Sequence, residues 1–313
     1  MKSLPKSTNN NVDFVAFGVV IDDVVYPDGR TSMGMLGGGG PQTAFGMRLW
    51  SSSVGLVASV GVDEYLQVMD WLQQSDILTE GLRKVDYPTP RAWQLFEQDG
   101  RRFHVWRTSQ QTIKDNLHRS VDHIPISFQS AKGFHLGVHP DAPDIEFLSD
   151  LQRLNRPLSI EAFRGVNEPL TEKQLRRFLD GITIFSANQI ELDTMLNIRD
   201  PLDQSKQLLD CGVKIVVVRL GEAGALLLDE THNGGVRIPA VPVKVVDSLG
   251  AGNAFCGAFL VGWILSGDLI KAGVYGSVAA SFVVEQAGVP VFTDKLEIEC
   301  RKRAKRLMHS VEE

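Results

Sequence analysis

The sequence predicts an α/β fold in three layers: a mostly parallel sheet with helices packed on both faces. Two observations carry that reading. Short runs rich in β-branched residues alternate with helical patterns along the 313-residue chain. Most of these runs are apolar throughout, as strands buried on both faces are. A third observation adds a further layer, because two stretches near the start alternate polar and apolar residues around tight turns and suit a small sheet outside the core.

Taken in order, Val12–Val20, Ser53–Gly61, Lys132–Val138, Pro157–Phe163, Gly181–Asn188 and Val213–Gly221 read as core strands. Helical patterns cover Pro41–Trp50, Asp144–Leu154, Thr171–Asp180, Gln189–Leu196 and Asp203–Leu209, and a last helix runs over roughly Asp294–His309. "VPVKVV", Val241–Val246, reads as one more strand feeding the apolar helix that continues "CGAFLVGWIL". Ile21–Leu36 is expected as two short strands joined by "PDG", and Arg91–Arg107 as a hairpin turning at Asp99-Gly100. Both suit a lid over the carboxyl ends of the core strands, where open α/β sheets place ligands. With no repeat, low-complexity tract or linker, the expectation is a single domain over residues 1–313, its lid spanning about 21–36 and 91–107.

The balance of 38 acidic against 32 basic residues gives a net charge of −6, which favours small-molecule partners over nucleic acid or an anionic membrane. "RKRAKR", Arg301–Arg306, reads as the solvated face of the last helix. Cys211, Cys256 and Cys300 form no CxxC pair, so neither a disulfide framework nor a zinc site is expected and a reducing compartment fits. "MKSLPKSTNNN" lacks the apolar core of a signal peptide, and no apolar run reaches membrane-spanning length. It reads as a short disordered tail on a cytoplasmic protein.

The chemistry lies in three glycine-rich places, "MLGGGGPQTAFG", "RLGEAGALL" and "DSLGAGNAFCGAF". The last runs into a helix, and small residues at such a turn let amide groups converge on an anion at the helix's positive end. There is no Gly-Lys dipeptide, which excludes the Walker-type phosphate loop, and no strand is followed by GxGxxG.

Together these motifs resemble those of the pfkB carbohydrate kinases, the ribokinase-like family of sugar and nucleoside kinases. The resemblance extends from "FGVVIDD" to "VVEQAGVP", with "GGGGPQ", "NQIE" and "DSLGAGN" standing where that family has Gly-Gly-x-Gly-x-Asn, Asn-x-x-Glu and Asp-Thr-x-Gly-Ala-Gly-Asp. It implies a ribokinase-like core with a β lid, an ATP-dependent transfer to a primary hydroxyl of a small sugar, polyol or nucleoside-like substrate, and use of Mg2+ and a monovalent cation such as K+. It implies that Asp23 accepts hydrogen bonds from substrate hydroxyls, that Gly37, Gly38 and Gly40 let the backbone pass close to the sugar, and that Gln42 replaces a substrate-binding Asn. Asn188 and Glu191 would be the phosphate- and magnesium-associated pair, for which a helix N-cap with a first-turn acid is the competing account. Arg219, Gly221 and Gly224 would lie beside the nucleotide, with Arg219 in place of a Thr, either meeting a phosphate or filling the site. Asp247 would lie near the monovalent-cation site, Gly250, Ala251 and Gly252 would form the anion hole, and Ala279–Gly288 would wall the adenine. A homodimer through the open edges of the lid sheet is a further expectation.

One residue departs from the pattern where it matters most. The residue closing the anion-hole loop in that family is an aspartate that takes the proton of the attacking hydroxyl, and here it is Asn253. An amide orients a hydroxyl but does not hold its proton, so a base contribution of typically about 10²–10⁴-fold is expected to be missing. A slow kinase and a catalytically inactive relative that binds ligand or regulates both fit that departure, and "GGGG…TAFGMRLW" with "GAGN" resembles a divergent fungal and plant branch of the family. Elsewhere, His135 and His139 are four apart on a strand ending at Pro140, so the spacing does not put them on one helix face as a metal pair. Ser186 lies in no GxSxG elbow. Glu161 and Arg164 read as a solvated ion pair at a helix start.

Overall fold

The computed structural model describes residues 12–98 and 102–312; the tail expected over 1–11 and the expected Asp99-Gly100 turn lie outside them. β1 (Phe14–Phe17) opens a large sheet, and β2 (Val20–Val25) and β3 (Thr31–Gly37) leave it for a second one. β4 (Val54–Gly61) and β5 (Leu82–Val85) return to the first, and β6 (Arg91–Phe96) and β7 (Arg102–Trp106) leave again. β8 (Gly133–Val138), β9 (Leu158–Ala162), β10 (Ile184–Asn188), β11 (Ile215–Arg219), β12 (Ala225–Asp229) and β13 (Val236–Ile238) complete it. The large sheet runs β13-β12-β11-β10-β9-β8-β1-β4-β5. Pairing is parallel from β5 to β11, and β12 and β13 add an antiparallel edge.

Each core strand is apolar along its length because it feeds two cores. Phe14 and Ala16 of β1 pack on one side, and Val15 and Phe17 on the other. The first side is covered by α1 (Gly40–Arg48), α2 (Tyr65–Gln74), α9 (Ala251–Ser266), α10 (Leu269–Val284) and α11 (Asp294–Glu312). The second is covered by α4 (Ile126–Gln129), α5 (Ile145–Arg153), α6 (Glu172–Leu179), α7 (Gln189–Met195) and α8 (Pro201–Asp210); α3 (Gln110–Leu117) follows the small sheet. The strand order reverses at β1, which lies between β8 and β4. A crevice outside the carboxyl ends of the strands is expected at such a switch point.

α1 and α9 touch backbone to backbone. A Cβ on Gly46 would collide with the Ala254 carbonyl, and one on Gly257 with the Thr43 carbonyl. This reciprocal contact places the two glycine-rich turns that open these helices side by side.

Val241–Val246 is not a strand. It has no regular structure and no strand partner, with Val245 and Val246 exposed and the Val246 amide donating to the Val284 carbonyl at the end of α10. Pro242 removes a ladder donor, so β propensity alone does not make a strand there. The small sheet, order β3-β2-β6-β7, pairs β2 with β6 in parallel and its other neighbours antiparallel. Its registers put Asp22, Gln94, His104 and Trp106 on one face, and Asp23, Trp93 and Val105 on the other.

Candidate active site

The first turn of α9 carries unused donors. Gly250, at φ +83°, lets the chain enter the helix, and no side chain caps it. Among the described residues, the amides of Gly252 and Asn253 meet no acceptor outside their own helix. Ala251 donates only to the Ser248 carbonyl, at 3.3 Å. Beside this turn lies the Arg219 guanidinium, against which a Cβ at Gly252 would collide.

Arg219 reaches the turn from the end of β11 and is held by carboxylates from two other elements. Nη1 donates to Glu161 Oε2 at 3.0 Å, Nη2 to Glu191 Oε2 at 3.2 Å, and the buried Nε has no protein acceptor. Glu161, at the end of β9, is 1% exposed. Burial alone would raise its pKa, but Arg219, His135 and Asn253 hold it down at about 2. Asn253 Nδ2 donates to Glu161 Oε1 at 2.5 Å. The expectation of a solvated Glu161–Arg164 pair is therefore corrected: Arg164 meets Asp141 at 3.3 Å, and Glu161 is a core carboxylate paired with Arg219.

Opposite the α9 turn stand unused acceptors. Gln42 is 3% exposed; its Nε2 donates to the Leu36 carbonyl while Oε1 has no protein donor. Its side chain packs against Gly250, and Gly39, at φ +82°, packs against Asn253. Asp22 abuts Gly37 and accepts from the Gly38 amide and from Gln94 Nε2 at 2.7 Å, leaving Gln94 Oε1 without a donor. Burial lifts the Asp22 pKa to about 6. Gly40 lies so close to the Gly18 carbonyl that a Cβ there would collide with it.

Asp23 does not fit the acceptor-holding role expected of it. It is wholly buried on the opposite face of β2, where both oxygens are taken by Arg91, Arg107 and the Gly34 amide, and the Arg91 bonds are foremost in lowering its pKa to about 2. Asp22 is the aspartate that faces the glycine turn. Strand alternation could have separated the two, but the sequence does not give the sheet's orientation.

A family sequence pattern that matches residues 13–295, not the geometry, decides the family. The chain belongs to the pfkB family of carbohydrate kinases. Cytidine kinase of Thermococcus kodakarensis is 27% identical over 259 residues, 80% of this chain and 88% of that protein. A nucleoside kinase of Methanocaldococcus jannaschii, an archaeal member of the ribokinase family, shares the fold at TM-score 0.69 and 20% identity, covering 94% of this chain and 98% of its own. Ribokinase of Arabidopsis thaliana, solved with ribose and ATP, does so at TM-score 0.70 and 20% identity over 94% and 99%. The ribokinase-like fold, with its separate small sheet, is thereby shared across both chains, and membership makes the protein a sugar or nucleoside kinase in general terms.

Against that family pattern, the residues expected to hold ions are engaged within the protein. Glu191 forms a capping box with Asn188: its Oε2 accepts from the Asn188 amide at 2.7 Å while Asn188 Oδ1 accepts from the Glu191 amide at 2.8 Å. The same Oε2 also takes Arg219. Asp247 accepts from Tyr26 Oη at 2.8 Å and from the Leu249 amide at 2.9 Å. The Arg219 guanidinium on the carboxylate where Mg2+ was expected does not fit a resident divalent cation. Gly221 and Gly224, at φ +62° and +88°, shape the β11–β12 turn. Gly288, in the segment expected to wall the adenine, meets the Met35 side chain of the small sheet. The ligand atoms of His135, Glu161 and Cys256 lie within 4.8 Å of one another. Arg219 and Asn253 already satisfy that carboxylate, so a further cation would be repelled.

Proposed function

We propose that this protein transfers the terminal phosphoryl group of ATP, bound as its magnesium complex, to a primary hydroxyl of a small sugar, polyol or nucleoside-like alcohol. The observation that carries the reading is a division of unused hydrogen-bonding capacity between the α9 turn and the small-sheet side. On the α9 side are donors, the Gly252 and Asn253 amides and Arg219 Nε, which suit phosphate oxygens. On the small-sheet side are acceptors, Gln42 Oε1, Gln94 Oε1 and the Asp22 carboxylate, which suit hydroxyls.

In this reading the small sheet is a lid, and Asp22, Gln94 and Gln42 hold the alcohol with its reacting oxygen near Asn253. That oxygen attacks the terminal phosphorus, the bond from phosphorus to the bridging oxygen breaks, and ADP leaves. The Gly250–Gly252 turn and Arg219 offset charge on the transferred group. In a loose transition state the alcohol needs alignment before it needs a base, and its proton departs late to a phosphoryl oxygen or water. Turnover is accordingly slow.

ADP release from ATP with a panel of sugars and nucleosides tests this; ATP binding with no ADP release from any alcohol rejects it. Arg219 lodged against Gly252 favours a second reading, a catalytically inactive relative that binds ligand or regulates. Calorimetric binding of ATP together with a silent panel is its signature.

The exposed Phe103 and Val105 of edge strand β7 support a homodimer through the lid, to be checked by light scattering. Three buried free cysteines suit the cytoplasm, and no helix among the described residues is long and apolar enough to cross a membrane.

A further inference from the structure

Asn253 does not ionise, yet its side chain is held by a short hydrogen bond at the α9 turn. Its partner Glu161 is an ionised carboxylate, and a carboxylate only accepts. The amide must therefore face Glu161 with its NH2 group, at 2.5 Å. Its Oδ1 is turned the other way, and no described protein group donates to it.

Glu161 is in turn fixed from every side. Arg219 of β11 holds Oε2 at 3.0 Å, His135 of β8 lies 3.2 Å from Oε1, and Cys256 of α9 lies 3.7 Å from Oε2. Glu191 of α7 shares the same arginine. The two residues that depart from the family pattern at this turn, Arg219 and Asn253, thus both bear on one carboxylate.

We propose that Glu161 is a positioning residue for phosphoryl transfer, orienting Asn253 so that its Oδ1 receives the hydrogen bond of the attacking hydroxyl and aligns it. The inference rests on the kinase reading above. Neither residue takes the proton, since both Glu161 oxygens are filled and Asn253 is an amide. It follows that position 253 is committed to an amide for as long as 161 is glutamate. Asp at 253 would bring two carboxyl groups to hydrogen-bond distance, where they coexist only by sharing a proton.

The experiment compares wild type, Asn253→Asp, Glu161→Gln and the double variant by steady-state phosphoryl transfer and by thermal unfolding at pH 5.5 and 8. Asn253→Asp is expected to lose about 10-fold or more in kcat at pH 8, as misalignment of a reacting group does. It should also melt lower, relative to wild type, at pH 8 than at pH 5.5. Adding Glu161→Gln should recover both, because Gln at 161 can donate to Asp at 253. Glu161→Gln alone should lower kcat more than it raises the KM for ATP.

A higher kcat for Asn253→Asp with Glu161 in place would overturn the proposal. So would a melting temperature for that variant that follows pH as wild type does. If wild type binds ATP and phosphorylates nothing, the kinase reading falls, while the pH-dependent melting still decides whether Glu161 locks residue 253.

Discussion

Two adjacent aspartates show how far a single strand position sets chemistry. Asp23 is ionised and saturated, so its stabilising contribution is present above pH 3.8 and is lost as pH falls towards 2. Asp22 has the opposite sign. Its pKa rises from 3.8 to about 6, so folding disfavours its charge from pH 3.8 upward, and the penalty is complete above about pH 6. Two units correspond to about 3 kcal/mol. Asp22→Asn, which can keep the Gln94 bond, should therefore raise the melting temperature at pH 7.5, lose that gain below pH 4, and weaken the alcohol's KM. A variant neither more stable nor weaker in acceptor binding would refute the role given to Asp22. Arg219→Thr restores the family's residue but leaves Glu161 and Glu191 buried without their cation; urea unfolding should show a loss of about 3–5 kcal/mol. Because Tyr26 and the Leu249 amide each hold one Asp247 oxygen in place, exchanging K+ for Na+ in the assay should leave turnover unchanged.

At the scale of elements, the site is assembled by the crossing of α1 and α9, where Gly46 and Gly257 admit the opposing backbone. Gly257→Ala forces a methyl into the Thr43 carbonyl and should destabilise by about 1–3 kcal/mol, as overpacking does. It should also depress kcat, because the Gly39–Asn253 contact opens; unchanged kinetics would separate the crossing from the site. The strands of the core were legible because continuous apolar runs are a strong signal for burial on both faces, and the capping box at Asn188 was legible from its spacing. Val241–Val246 misled because its β propensity had no neighbour to pair with, which composition does not reveal. Glu161 was misread for a similar reason: its counter-charge, Arg219, lies 58 positions away, and only the alignment of the β9, β10 and β11 ends brings them together.

Across the whole molecule, the small sheet is tied to the core at separated points. Tyr26 meets Asp247, Gln67 donates to the Gly34 carbonyl, Arg91 approaches Glu64 at 3.6 Å, and Met35 rests on Gly288. Tyr26→Phe removes one hydrogen bond to a charged group, worth about 1.5–3 kcal/mol. Faster amide exchange in β2 and β3 and a several-fold higher KM for ATP are expected; exchange confined to wild-type rates would show that the tyrosine is no latch. The second sheet was legible as a sheet from its alternating stretches, whereas its parallel β2–β6 pairing and its inward face depend on how it docks, which no local pattern encodes. The glycine crossing carries a consequence for anyone splicing this scaffold. A loop transplanted from a related enzyme will function only if it arrives with the helix behind it and with a matching groove in the opposite helix, so the smallest exchangeable cassette is a pair of distant segments.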